Sequence, residues 1–166
     1  MPSVEQTYYI KRSVLIVGLL PEINEEQTIN NVKSFFNGEY ERLCRLAGGG
    51  ITITSPQLDG MPRAQAKSNP TEAKFIKVAN YHLLVKTVAK AINACSPVSR
   101  VILLGRFIQG KSAWQVAQEI GYESSHFYDY YNRACLEFAD TLEYHTKLLK
   151  DDDLVEDLHS YKNDDT

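Results

Sequence analysis

The chain has 166 residues and a net charge of −3, with 43% apolar and 23% charged side chains, as in a soluble globular protein, and its length fits one domain, or one small domain carrying an ordered appendage. Its longest apolar run, Val14–Leu20, has 7 residues, and a membrane-spanning helix requires about 20, so a bilayer-crossing chain is excluded. Residues 1–96 hold 11 basic and 8 acidic side chains, 97–140 hold 4 and 5, and 141–166 hold 3 and 8; this balance argues against a strongly basic nucleic-acid binder.

Lys11 and Arg12 precede Val14–Leu20 as in a signal peptide, but Glu5 and the absence of an A-x-A site oppose that reading. Residues 1–20 read as an N-terminal arm, either a short strand or an extended segment. Residues 21–50 read as a long helix. Asn24 with Gln27 makes a capping box, and Ile29, Val32, Phe36, Tyr40, Leu43 and Leu46 form one apolar stripe before Gly48-Gly49-Gly50. That stripe must pack on the body or on a second copy of the chain, so association or partner contact is its expected use and a homodimer one outcome. The turn formers Ser55-Pro56, Asp59-Gly60 and Ser68-Asn69 mark 51–69 as a linker loop.

Residues 70–150 read as a helical domain. Asn69-Pro70 supplies a cap and a first-turn proline, and Phe75, Ile76, Ala79, Leu83, Val88, Ala91, Ile92 and Cys95 follow at helical spacing. Ser96-Pro97 stops that helix and starts another, populated by Val98, Val101, Ile102 and Leu104. Ser112 and Gln115 form a second capping box, opening a short helix with Val116, Ala117 and Ile120 inward, which Gly121-Tyr122 breaks. From Ser124, the residues Phe127, Tyr131, Ala134, Phe138 and Leu142 step by three or four. Two helices joined by a short glycine-containing turn, spanning 112–143, describe a helix-turn-helix or a plain hairpin in a bundle. Residues 151–166, rich in Asp and Glu, read as an acidic, disordered tail. Cys44, Cys95 and Cys135, widely spaced and odd in number, read as reduced thiols of a cytoplasmic protein.

In a helix-turn-helix the second helix enters the major groove. The outward residues there are Ser124, Ser125, His126, Tyr128, Asp129 and Asn132, with Arg133 a turn later. Lys111, Arg106 and Trp114 are candidates for the DNA backbone. His126 and Asp129 share a face, but no nucleophile accompanies them, and no catalytic, metal or cofactor site is expected. Gly105 to Ser112 also satisfies G-x-x-x-x-G-K-[ST]. Against a phosphate loop stand the bulk of Phe107 and Ile108 and the 54 residues that remain after Ser112, too few for a parallel sheet.

Leu20-Pro21-Glu22-Ile23-Asn24-Glu25-Glu26-Gln27-Thr28, then Ser55-Pro56, Gly60-Met61-Pro62, Asn69 and Glu72, and finally Phe127-Tyr128 with Arg133-Ala134-Cys135-Leu136-Glu137-Phe138-Ala139 resemble the ArpU family of phage and prophage transcriptional regulators. The resemblance covers roughly residues 19–142. It implies an all-α fold with a long N-terminal helix and a C-terminal bundle whose helix-turn-helix is similar to the fourth region of sigma factors. It also implies control of late phage genes on double-stranded DNA, together with host RNA polymerase. Such regulators carry Arg or Lys where this chain has Asp129, which lowers the number of phosphate contacts expected. Asp129 could instead accept from a cytosine amino group. A polymerase-binding accessory protein and a small DNA-packaging subunit are the alternatives.

Overall fold

The computed structural model describes residues 20–49, 70–122, 124–149 and 155–162; the expected arm, apart from Leu20, and the expected linker loop lie outside them. Every named element among the described residues is helical, as expected: α1 (Glu25–Ser34), α2 (Glu41–Leu46), α3 (Pro70–Ala94), α4 (Pro97–Leu103), α5 (Ala113–Ile120) and α6 (Ser124–Lys147). A π-helical stretch, Phe35–Tyr40, joins α1 to α2, and a second, Leu104–Ile108, continues α4. Helix α6 is the axis of the bundle and touches α1, α3, α4 and α5.

Half of the first expected capping box forms. Asn24 Oδ1 accepts from the Gln27 N–H at 3.1 Å. The Gln27 side chain runs forward instead, donating to Asn31 Oδ1 at 3.1 Å. Its usual target, the Asn24 N–H, is already donated to Ser160 O at 2.7 Å. The stripe on this helix is spent inside its own chain, since Ile29, Val32, Phe36 and Tyr40 all join the core. At its end the phase changes: Ala47 is 2% exposed where Leu46, the expected member, is 43% exposed. A π turn closes over one residue more than an α turn, which rotates everything downstream by about 100°.

The two π stretches supply the aromatic centre of the core. Phe36 stacks on Phe107 with centroids 4.3 Å apart and tilts against Phe138 at 4.8 Å. Phe107 continues to Tyr131 at 5.7 Å, and Tyr131 to Phe127 at 6.0 Å. Parallel-offset and tilted rings at these separations add roughly 0.5–1.5 kcal/mol per pair beyond area burial.

Helix α3 departs from the expected pattern. Leu84, Val88, Ala91, Ile92 and Cys95 are buried, whereas Phe75, Ile76 and Leu83 are exposed. Ile76 and Leu83 stand one position out of register with Leu84, Val88 and Ala91, which is a rotation of about 100°; the periodic reading had merged two faces into one. At the α3–α4 junction Glu137 of α6 accepts from both the Ser96 N–H (3.0 Å) and the Ser96 hydroxyl (3.1 Å). Ser96 thus ties the junction to α6 and makes no side-chain cap on α4.

Part of the expected disordered tail is docked. Ile23 and Tyr161 form an antiparallel bridge, and Lys162 N–H donates to Glu22 O at 2.9 Å. Asn31 Nδ2 donates to Leu158 O at 3.1 Å, and the Ser160 N–H donates to the buried Thr28 Oγ1 at 3.0 Å. Val155 and Leu158 pack on the core. The acidic composition hid these apolar anchors. Residues 151–154 and 163–166 lie outside the described residues.

Gly105, in the π stretch after α4, packs directly on Val116 of α5. A Cβ there would stand 2.6 Å from Val116 Cγ2, and the β-branched valine has no free rotamer to yield. Gly105→Ala should therefore lower unfolding free energy by about 1–3 kcal/mol in urea melts.

Candidate nucleic-acid interface

The second capping box is complete. Ser112 N–H donates to Gln115 Oε1 at 2.8 Å, and the Gln115 N–H donates to Ser112 Oγ at 3.3 Å. Helix α5 then buries Val116 and Ala117. Past its last turn Gly121 takes φ +71°, a conformation that glycine adopts without strain. Its N–H donates to Gln118 O and that of Tyr122 to Ala117 O, each at 3.2 Å, the paired bonds of a Schellman stop. The chain turns at once into α6.

Helix α6 has two unlike sides. Phe127, Tyr131, Ala134, Cys135, Phe138 and Leu142 face the core. Burial pushes the Tyr131 hydroxyl up to about 12 and the Cys135 thiol up to about 12, so both stay neutral. On the opposite side Ser125, His126, Asp129 and Arg133 are exposed and Asn132 is half-buried. His126 Nδ1 stands 3.9 Å from Asp129 Oδ2. Tyr128 is 62% exposed and set edge-on to Phe127, and Trp114 on α5 is 63% exposed. Ser124 opens α6, but its side chain lies outside the described residues.

Two of the basic candidates are occupied inside the fold. The Arg106 guanidinium donates from Nη1 to Lys111 O and lies 5.9 Å from the centre of the Tyr131 ring. Lys111 pairs through its ammonium with Glu119 of α5. Arg133, by contrast, is exposed. A cation that the sequence reading missed comes from α1: Lys33 Nζ lies 5.1 Å over the same Tyr131 ring. Its place on α1, about 100 residues before Tyr131, left no local signal.

Gly105 to Ser112 does not form a phosphate cradle. Gly105 to Ile108 belong to the π-helical stretch, Gln109 N–H closes it onto Leu104 O at 2.8 Å, and Lys111 N–H turns back to Gly105 O at 2.8 Å. Phe107 is in the aromatic core. Elsewhere Glu143, Asp157 and His159 bring ligand-type atoms within 4.8 Å of one another. Those atoms are already spent: Glu143 holds Lys147, Asp157 accepts from the His159 N–H and from Tyr161 Oη, and His159 has a carboxylate at each ring nitrogen.

In comparisons with known proteins, the chain is 29% identical over 129 residues to the Enterococcus hirae protein named "Putative autolysin regulatory protein ArpU", an alignment that covers 76% of this chain and 93% of the relative. This similarity supports kinship with ArpU-like regulatory proteins. No family model and no solved structure matches the chain.

Arg106→Ala should lower stability by roughly 1.5–3 kcal/mol, the usual cost of a charged hydrogen bond. Arg133→Ala, at an exposed site, should stay within about 0.5 kcal/mol. Thermal melts of the two variants side by side check the contrast between an internal strut and a free cation.

Proposed function

We propose that this chain is a non-catalytic transcriptional regulator that binds double-stranded DNA through α5 and α6. In this reading the pair acts as a helix-turn-helix, with the first three turns of α6 in the major groove, whose width admits one helix. The observation that carries the reading is the division of α6. Phe127, Tyr131 and Phe138 hold it from behind, while Ser125, His126, Asp129 and Arg133 are left open on the other side. Similarity to an ArpU-like regulatory protein supports a regulatory role, and control of late phage or prophage genes with host RNA polymerase follows as the setting we favour.

Within this reading Arg133 and Lys33 serve phosphates on the two flanks of α6, and Trp114 packs on the sugar–phosphate backbone. Arg106 and Lys111 hold the turn into α5 and reach phosphate only by giving up internal partners. Asp129 and Asn132 read base edges, Asp129 as an acceptor for a cytosine amino group and Asn132 toward adenine. A second reading, docking on polymerase with little base contact, draws on one observation: Asp129 and Glu119 leave the interface poor in positive charge.

Gel shifts across a salt series separate these roles. Arg133→Ala and Lys33→Ala should each flatten the slope of log affinity against log salt by about 0.9, on every sequence alike. Asp129→Ala and Asn132→Ala should keep the slope and change the preferred base, by about 1–3 kcal/mol at one position. Four variants that behave identically would contradict the assignment. Polymerase capture without DNA, combined with flat salt curves, would favour the accessory reading.

A further inference from the structure

The docked segment 155–162 is fastened at one buried histidine. The His159 side chain is 4% exposed. Its Nε2 lies 2.8 Å from Asp140 Oδ1 on α6, and its Nδ1 lies 2.7 Å from Asp157 Oδ1 within the segment. Glu143 Oε2 of α6 is 3.7 Å from Nδ1. Ionised carboxylates only accept, whereas a neutral imidazole offers one N–H and one lone pair. Both short contacts can be hydrogen bonds only when both ring nitrogens carry hydrogen.

We propose that residues 155–162 form a proton-locked clasp: imidazolium His159 ties the segment to Asp140 and Glu143 of α6, and deprotonation releases it from the bundle.

The groups that face His159 are all accounted for among the described residues. From α6 come Asp140 and Glu143, the latter sharing its other oxygen with Lys147. From the segment itself come Asp157 and Tyr161, whose ring lies 6.0 Å from the imidazole. From α1 the neighbours of the segment are Thr28 and Asn31, which do not titrate. The remaining ion pair, Lys162 with Glu22 at 3.3 Å, is exposed at both partners and holds little by itself. Burial would push the imidazole pKa down, but the hydrogen bonds and charges of Asp140 and Asp157 outweigh it and raise the pKa above the ordinary value.

The sign follows by linkage. A histidine whose pKa is raised by docking adds stability that is complete below its undocked value, about 6.5, and that is lost as pH rises through the docked value. Loss of the proton leaves a lone pair against a carboxylate oxygen, a repulsive contact at a ring that is itself screened from water. What the clasp holds is the cover over the start of α1: the Asn24 and Ser160 backbone bonds and the apolar contacts of Leu158.

Nitrogen-15 NMR of the full chain, with amide exchange at residues 158–162 followed from pH 6 to pH 9, tests the clasp. At low pH both His159 ring nitrogens should report as protonated and the segment should be protected. Protection should be lost as pH rises, while α4–α6 amides stay unchanged. His159→Gln should remove the protection at every pH. Asp140→Asn, at a side chain that is 71% exposed and so harmless to the core, should move the loss to lower pH. Protection that is flat from pH 6 to pH 9, or a midpoint unmoved in Asp140→Asn, would overturn the proposal.

Discussion

The contact on which the fold turns is the stack of Phe36 on Phe107, two side chains delivered by two separate π-helical stretches. Each π stretch adds a residue to a turn, and each carries aromatic rings into the core. The first lets Phe35, Phe36 and Tyr40 all bury. The second ends in Phe107, between Phe36 and Tyr131. From Tyr131 the contacts pass to Phe127 at the start of α6. The orientation of α6 is therefore fixed along its inner side by rings that come from both halves of the chain.

That orientation decides which side chains are free. A helix pinned by Phe127, Tyr131 and Phe138 must turn Asp129 and Arg133 outward, because the two sets lie on opposite sides of a 3.6-residue repeat. The turn before it is equally determined, by Gly121 at positive φ and by Gly105 pressed on Val116. The charge of the resulting surface is mixed, not basic. Arg106 and Lys111, the cations nearest in sequence, are held by Lys111 O and Glu119; Arg133 is exposed, and Lys33 lies half-buried over the Tyr131 ring. Affinity from phosphate contacts alone is accordingly modest in the DNA-binding reading, and more of the discrimination falls on shape and on a few polar side chains.

Local signals in the sequence were legible where the physics is local. The Ser112–Gln115 box, the glycine stop at Gly121 and the inward series from Phe127 to Leu142 all depend on neighbours within one turn, and all are present in the fold. What stayed hidden depends on partners far away in the chain. Gln27 does not complete its box because Ser160, over 130 residues later, holds the Asn24 N–H. The π turns shift the phase that put Leu46 inside, and α3 carries two apolar faces a single residue apart. Lys33 reaches Tyr131 only through the packing of α1 on α6. The acidic count of the last segment concealed Val155, Leu158 and the buried His159, whose charge its neighbours require.

The measurement that bears most directly on the DNA-facing role of α6 is an NMR titration of the labelled chain with a mixed-sequence duplex at low salt, where non-specific association is strongest. The predicted result is a set of shifts concentrated on the Ser125, His126, Asp129, Asn132 and Arg133 amides and on the Trp114 indole, with the exposed Phe75–Leu83 face of α3 unmoved. A duplex that perturbs no residue of α5 or α6, or that perturbs α3 first, would contradict it.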